Sequence, residues 1–223
     1  MTDHNKPDAV IFDWDNTLVD SFPLLVEAHS HVRRKFGLET FTVETASQYV
    51  HKSARAMYPE WFGQNSDQAI SDLYDFIQKR HIQELEVNDH SQECLDVLHS
   101  LKIPMAVVSN KRGDLLRKEA SHLNWAPYFK TIIGAGDADR DKPDTDPALL
   151  ALTHLKQKAS RCIWYLGDSE SDFKVSNALG FTSIYIKNRT MMDQKTLNMY
   201  DIEYKFDTMT SFLDFIKKKF EIA

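Results

Sequence analysis

Five short apolar runs constrain the fold of this chain more than any other feature of its sequence. They cover residues 9–12, 105–108, 131–133, 162–166 and 182–186. Apolar residues follow one another in these runs without alternation, which is typical of strands buried on both faces of a parallel sheet. Segments with apolar residues at helical spacing lie between several of the runs. The alternation of strand and helix predicts an α/β fold, a doubly wound parallel sheet with right-handed crossovers.

Residues 21–88 interrupt this alternation. The stretch is rich in aromatic residues, carries apolar residues at helical spacing and contains no convincing strand. It is too long for a connecting loop. We therefore expect a small α-helical cap domain of residues 21–88, inserted after the first strand, and a core domain of residues 1–20 and 89–223.

The composition narrows the classes of partner. The chain has 223 residues, with 27 Lys and Arg against 33 Asp and Glu, and a formal net charge of -6. A general nucleic-acid binder normally carries a basic field, so we expect no nucleic-acid partner. No run approaches the ~20 apolar residues that cross a bilayer, and the first residues include only a short apolar stretch. We therefore expect no membrane segment and no signal peptide.

Two cysteines, Cys94 and Cys162, lie far apart in the sequence and lack the CxxC spacing. Both stand in apolar patterns, which predicts buried free thiols and not a disulfide framework. Free thiols suit a reducing compartment. We therefore expect a soluble cytoplasmic protein, as a monomer or a dimer.

Two aspartates follow the first apolar run directly. Asp13 and Asp15 are two residues apart, and both can face one cavity if the chain turns there. Like charges so close repel each other unless a cation, or a proton shared with a substrate, offsets them. The alternative interpretation is that both are acids at a helix start, as in most such pairs.

A second acidic cluster follows the fourth run. Asp168 can reach one site together with Asp172 or with Glu170, provided that this strand ends beside the first. Oxygen ligands in this number suit a hard cation that keeps several waters, which describes Mg²⁺. A capped helix start is the alternative interpretation for Asp172 or Glu170 alone.

Two further segments carry groups that can bind an anion. Ser109 and Asn110 end the second run, where a hydroxyl and main-chain N–H groups at a helix start make an anion site. Lys142 follows the third run beside Pro143. A lysine beside a loop proline is usually solvated, so neither segment decides the function alone. Four polar clusters in this order, each just past a predicted strand or in the loop beyond it, would not readily arise by chance.

Taken together, these clusters resemble the motifs of the haloacid dehalogenase-like (HAD) hydrolase superfamily. In order they are Asp13-x-Asp15-x-Thr17, Ser109-Asn110, Lys142-Pro143 and Gly167-Asp168-x-x-x-Asp172. The insert resembles the helical C1 cap of the phosphoglycolate phosphatase and β-phosphoglucomutase branch. The resemblance runs from Val10 to about Ile186. Asn16 stands where the family most often has glycine, and Asn is among the few residues that tolerate left-handed backbone geometry.

The resemblance implies a Mg²⁺-dependent phosphatase that forms an aspartyl-phosphate. Asp13 would be the nucleophile, and Asp15 would protonate the leaving oxygen and then activate water. Asp13, the main-chain carbonyl of Asp15 and Asp168 would bind the metal. Thr17 and Asp172 would support the site, Asp172 through water or a hydrogen bond.

The same resemblance assigns the anion-binding residues and the type of reaction. Ser109, Asn110 and Lys142 would bind the phosphoryl oxygens. Phosphoryl transfer needs such groups to position the phosphoryl group and to stabilise its negative charge. Cleavage of a carbon–halogen bond has no leaving group that needs a proton. The acid at Asp15 therefore favours phosphoryl transfer over dehalogenation.

The insert is expected to recognise the rest of the substrate. His51, Lys52 and Arg55 are candidates, although charges on a cap surface are the plainer alternative. We expect a small phosphorylated metabolite of the phosphoglycolate or sugar-phosphate type. The glycine-rich stretch of some phosphoglycolate phosphatases is absent, which speaks against phosphoglycolate itself. Two alternatives stay open: a phosphosugar mutase of the β-phosphoglucomutase type and, more remotely, an inactive phosphate-binding regulatory protein.

Overall fold

The computed structural model describes residues 6–46, 48–49, 52–187 and 192–222. The strands of this part of the chain are β1 (Ala9–Phe12), β2 (Val19–Asp20), β3 (Glu86–Val87), β4 (Met105–Arg112), β5 (Phe129–Ala135), β6 (Ile163–Gly167), β7 (Thr182–Ile186) and β8 (Tyr204–Phe206). The α-helices are α1 (Phe22–Lys35), α2 (Val43–Ala46), α3 (Ala54–Phe62), α4 (Ser66–Arg80), α5 (Ser91–Ser100), α6 (Gly113–His122), α7 (Asp146–Leu155), α8 (Glu170–Ala178), α9 (Gln194–Leu197) and α10 (Met209–Lys219).

Six of the strands form one sheet in the order β5-β4-β1-β6-β7-β8, and each neighbouring pair is parallel. Alternate side chains of β1 enter different cores. Val10 and Phe12 pack with α5, α6 and α10 on one face, whereas Ala9 and Ile11 pack with α7 and α8 on the other. The predicted doubly wound α/β fold is confirmed, and burial on both faces explains why the runs do not alternate.

All five predicted strands are present. Sequence reasoning missed three short strands, namely β2, β3, which lies within residues 21–88 where no strand was expected, and β8. The strand β8 pairs with β7 at the edge of the sheet. Tyr204 and Phe206 are half-buried and Lys205 between them is exposed. A three-residue strand with this alternating pattern gives no continuous apolar run, so the sequence does not indicate it.

The helices α1 to α4 lie between β2 and β3, as expected for a helical insert. The strands β2 and β3 pair antiparallel, with Val19 opposite Val87. They connect the insert to the rest of the chain on either side. The insert has a separate hydrophobic cluster, which includes Ala28, Tyr58 and Leu73 and is joined by Leu115 of α6. The boundaries of the two domains stay a prediction.

The order of the strands determines where polar groups collect. After β1 the chain passes through the insert and returns as β4 on one side of β1, whereas β6 later pairs on the other side. The strand order therefore reverses at β1. Ligands in such sheets bind beyond the carboxyl ends of the strands at this reversal. Asp13 and Asp168 directly follow β1 and β6, and Ser109 lies within β4.

Two expectations about the rest of the molecule have different outcomes. In the described ranges, no helix has both the length and the apolar character that crossing a bilayer needs. Cys94 is a buried free thiol as predicted, but the prediction for Cys162 is wrong because that residue is exposed. Cys162 precedes β6, which begins only at Ile163, so it lies outside the buried part of its apolar run.

Candidate active site

Lys142 lies at the centre of a buried group of polar side chains. Its Nζ is 2.8 Å from Asp13 Oδ1, 2.6 Å from Asp172 Oδ1 and 2.9 Å from the main-chain oxygen of Val108. Lys142 lies in the loop after β5, Asp13 directly follows β1 and Asp172 lies on α8. All three side chains are buried. Residues more than 100 positions apart in the sequence thus meet at the predicted edge of the sheet.

Three carboxylates lie close together here, and two of them, Asp13 and Asp172, contact the lysine. Oxygens of Asp13, Asp168 and Asp172 all lie within 4.8 Å of one another, and the three residues are buried. Asp168 Oδ1 also accepts a hydrogen bond of 3.2 Å from Thr17 Oγ1. Three carboxylates beside one ammonium leave an excess of negative charge when all are ionised. Hard oxygen donors with this excess fit Mg²⁺, which prefers a few carboxylates and keeps several waters.

The electrostatics of the centre favour a bound cation. Burial is the main cause that raises the pKa of Asp13 well above its ordinary value. Lys142 opposes this shift, whereas the carboxylates of Asp172 and Asp168 add to it. Burial lowers the pKa of Lys142, but Asp13 and Asp172 outweigh burial, and the pKa is raised well above its ordinary value. The lysine is therefore charged, and a cation bound beside Asp13 would favour the ionised form of that carboxyl.

Both carboxylate oxygens of Asp172 have protein partners. Oδ1 accepts from Lys142, and Oδ2 accepts from the main-chain N–H of Ser169 at 3.1 Å and from Ser169 Oγ at 2.7 Å. Ser169 and Asp172 form the capping box at the start of α8. Gly167 makes room for this arrangement, since a Cβ there would lie 2.4 Å from Asp172 Cγ. Asp172 can therefore cap the start of α8 and belong to the acidic centre at the same time.

The turn after β1 brings Asp15 to the same edge of the sheet. Asn16 has φ 63°, so the prediction that it tolerates left-handed geometry is confirmed. Asp15 Oδ1 lies 2.6 Å from Lys111 Nζ. Sequence reasoning assigned no role to Lys111. Its position directly after Ser109 and Asn110 was the one signal that could have indicated one.

Ser109 and Asn110 lie in the second half of β4, and Asn110 connects this strand with the loop that carries Lys142. Asn110 Nδ2 donates a hydrogen bond of 3.0 Å to the main-chain oxygen of Lys142, and the Lys142–Pro143 peptide is cis. Ser109 is buried, and its Oγ accepts from the main-chain N–H of Lys111 at 3.2 Å. The structure thus brings both predicted anion-binding segments beside Asp13.

A cavity separates this edge of the sheet from the insert. Its polar side includes Asp13, Asp15, Ser109, Asn110 and Lys111. Its opposite side includes Lys52 and Tyr74 of the insert and apolar residues of the insert and of α6, namely Leu25, Ala54, Leu73, Ile77 and Leu115. A molecule in this cavity would therefore have its polar end against the sheet and its remainder against the insert.

The candidate substrate-reading residues differ in their placement. His51 lies outside the described residues. Lys52 lines the cavity, with its Nζ 5.1 Å from the centre of the Tyr49 ring. Arg55 instead pairs with Asp141, at 2.6 Å between Nη2 and Oδ1 and 3.1 Å between Nε and Oδ2. Contact of these residues with a substrate stays a prediction.

The sheet topology and this acidic centre are those of a haloacid dehalogenase-like hydrolase. The profile of the family described as "Haloacid dehalogenase-like hydrolase" matches residues 10–186. The chain belongs to this family, and the resemblance read from its motifs is confirmed.

Individual relatives agree with this assignment. The chain is 24% identical to the pyrophosphatase PpaX of Bacillus velezensis, over 96% of this chain and 97% of that protein. It is 28% identical to a phosphoglycolate phosphatase of Xanthomonas campestris, over 80% and 82%. A crystal structure of a HAD-superfamily hydrolase from Ehrlichia chaffeensis is 27% identical, with a TM-score of 0.66 and coverage of 96% and 98%. The prediction of a phosphatase enzyme of this family is confirmed.

Proposed function

We propose that this chain is a Mg²⁺-dependent phosphatase that hydrolyses small phosphomonoesters through an aspartyl-phosphate on Asp13. The observation that supports it most is the position of Lys142 Nζ between Asp13 Oδ1 and Asp172 Oδ1, with Asp168 close by. Phosphoryl transfer depends on in-line placement and on positive charge beside the transferred group. One fixed ammonium among carboxylates that can bind a divalent cation supplies this positive charge beside Asp13.

The first half of the reaction uses both aspartates after β1. An oxygen of Asp13 attacks phosphorus, and the bond between phosphorus and the ester oxygen breaks. Asp15 donates its proton to that oxygen, so the product leaves as an alcohol. Lys142, Ser109 and Asn110 would stabilise the charge of the phosphoryl group during the transfer.

The second half returns the enzyme to its starting state. Asp15, now ionised, takes a proton from water as the water oxygen attacks phosphorus. The bond between phosphorus and Asp13 breaks, inorganic phosphate leaves, and Asp15 holds a proton again. Mg²⁺, held by Asp13, Asp168 and the main-chain carbonyl of Asp15, would supply positive charge to the phosphoryl oxygens.

The test is a phosphate-release screen with the purified full chain. The panel contains sugar phosphates, phosphoglycolate, nucleotides and, because of PpaX, pyrophosphate, each with Mg²⁺ and with a chelator. We expect release from at least one phosphomonoester with Mg²⁺ and none with the chelator. Asp13→Asn should lower the rate by at least about 10³-fold because it removes the nucleophile. Asp8→Asn, an exposed aspartate just before β1, serves as the control.

Other outcomes separate the alternatives. Activity that survives the chelator or Asp13→Asn contradicts the mechanism. Isomerisation of a sugar phosphate that needs a bisphosphate activator, without net release of phosphate, would support the mutase. Binding of phosphate without turnover of any substrate would support the inactive regulatory protein.

A further inference from the structure

A buried lysine outside the acidic centre connects Asp15 to the interior of the core. Lys111 Nζ lies 2.6 Å from Asp15 Oδ1 and 2.8 Å from Glu119 Oε2. The side chains of Lys111 and Glu119 are 5% and 1% exposed. Burial lowers the pKa of Lys111, but Asp15 and Glu119 outweigh burial and raise it. The lysine is therefore charged and is held between two carboxylates away from bulk water.

Glu119, on α6, is fixed by donors from three different segments. Oε2 accepts from Lys111 and from Trp14 Nε1 at 2.7 Å, and Oε1 lies 2.8 Å from His81 Nδ1. Burial raises the pKa of Glu119, but Lys111 and the hydrogen bonds outweigh burial and lower it. Because an ionised carboxylate only accepts hydrogen bonds, His81 Nδ1 carries the proton of that contact. Both oxygens of Glu119 are therefore occupied, and its orientation is fixed.

Stability alone is a poor explanation for this arrangement. Replacing a buried ion pair by apolar residues of similar size often leaves stability unchanged or improves it, because the charges lose their hydration. The apolar side chains of Trp14 and Leu116 already provide such surroundings in the same core. In contrast, the lysine ends in the cavity, at hydrogen-bond distance from a proposed catalytic group. The position of the ammonium thus points to a role at the cavity.

We propose that Lys111 is a positioning residue that holds the Asp15 carboxylate for proton transfer, and that Glu119 in turn holds Lys111. This role rests on the proposed function, in which Asp15 is the general acid–base. Lys111 itself transfers no proton and stays an ammonium throughout. Trp14 lies next to Asp15 in the sequence, in the turn after β1, and His81 directly follows α4, so the core and the last part of the insert both take part in the arrangement.

The role predicts an effect that depends on the leaving group. An alkoxide needs a proton as the ester bond breaks, whereas 4-nitrophenolate leaves without one. A misplaced Asp15 therefore slows the first half of the reaction for alkyl phosphates and much less for 4-nitrophenyl phosphate. The second half also needs Asp15, so the aspartyl-phosphate should accumulate with 4-nitrophenyl phosphate.

The test compares kcat/KM for an alkyl phosphate and for 4-nitrophenyl phosphate, since kcat/KM reports the steps up to the first bond cleavage. Lys111→Met should lower kcat/KM by about 10² to 10⁴-fold for the alkyl ester, the usual contribution of general acid catalysis. For the aryl ester we expect a loss below about tenfold. Quenched mass spectrometry should then detect phosphorylated Asp13 in the variant.

Three further variants make the test specific. Glu119→Gln keeps the shape of the side chain and should cause the same type of loss to a smaller extent. In an Asp15→Asn background, Lys111→Met should have no further effect on the alkyl ester, because coupled residues are not additive. Lys118→Met is the matched control, an exposed lysine on α6, and should leave both values unchanged.

The outcomes separate this role from the proposed function. Wild-type protein that releases no phosphate from any ester overturns both. Active wild-type protein with equal losses for the two esters overturns the positioning role alone and assigns Lys111 to phosphate binding or folding. A full additional loss in the Asp15→Asn background also overturns it. Circular dichroism of each variant identifies failure to fold, and Glu119→Gln then decides the question.

Discussion

Ser53 Oγ lies 2.6 Å from Asp141 Oδ2 and connects the insert to the loop that carries Lys142. Asp141 also accepts from Arg55 and, at 3.1 Å, from the main-chain N–H of Gly136. The side chain of Asp141 is 5% exposed, whereas that of Arg55 is 48% exposed. The insert is therefore fastened to the core one residue away from the lysine of the acidic centre.

Removing this contact should loosen the insert. Asp141→Ala removes the hydrogen bond of Ser53 and the ion pair of Arg55, and we expect faster hydrogen exchange in residues 52–58. We also expect kcat/KM for the best substrate to fall about tenfold, because closure over the substrate positions it and excludes water. Asp139→Ala, the exposed neighbour, should change neither value. Unchanged exchange in Asp141→Ala would show that other contacts hold the insert.

Lys142→Met should destabilise the fold as well as abolish activity. The change leaves Asp13 and Asp172 buried beside each other without their cation. Removal of one partner of a buried ion pair typically costs about 3–5 kcal/mol. Urea unfolding monitored by circular dichroism measures the loss. Lys130→Met, at an exposed position of β5, should lie within about 0.5 kcal/mol of the wild type, and an equal loss in both variants would contradict this account.

Mg²⁺ should stabilise the folded chain through Asp168. A ligand that binds only the folded state adds about 2.7 kcal/mol at one hundred times its Kd. The thermal midpoint should therefore rise with Mg²⁺, and Asp168→Asn should lose most of this rise because a carboxylate ligand is gone. Asp75→Asn, on the exposed side of α4, should keep it. Equal shifts in both variants would indicate that Mg²⁺ binds at another place.

The stability of the insert should depend on pH through His29. Burial, with a smaller contribution from Arg33, lowers the pKa of this histidine from 6.5 to about 4. The unfolded state then binds more protons between these values, so stability falls as the pH decreases from 6.5 to 4. The loss from His29 amounts to about 2 kcal/mol between pH 7.5 and pH 5.

Urea midpoints at the two pH values check this expectation. His29→Gln should remove about 2 kcal/mol of the pH dependence, whereas His122→Gln, at an exposed position of α6, should keep it. The same dependence in His29→Gln and in the wild type would mean that other groups cause it.

The sequence was most informative where the type of a residue and its position after a strand are enough to predict where it lies. Asp13 and Asp168 directly follow buried strands, and a parallel sheet brings such strand ends together. Asn16 could be interpreted because few residue types other than glycine adopt its backbone geometry. These features depend on the residue type and on the order of the strands. The sequence shows the first directly, and its apolar runs indicate the second.

The sequence was least informative where two distant side chains meet inside the core. Trp14 and Glu119 are 105 positions apart, and their contact depends on the packing of α6 against the sheet. A glutamate on a helix is usually exposed, so no pattern indicated that Glu119 is buried. The exposure of Cys162 was missed for a related reason, since an apolar run does not reveal at which residue its strand begins.

The pairing of Val19 with Val87 gives the insert adjacent ends. A segment that leaves and rejoins a scaffold at neighbouring points can lengthen, shorten or be exchanged without altering the strands on either side. Variation between α1 and α4 therefore need not disturb the alignment of β1 with β4. The insert can therefore diversify in evolution while the sheet that carries the acidic centre stays the same.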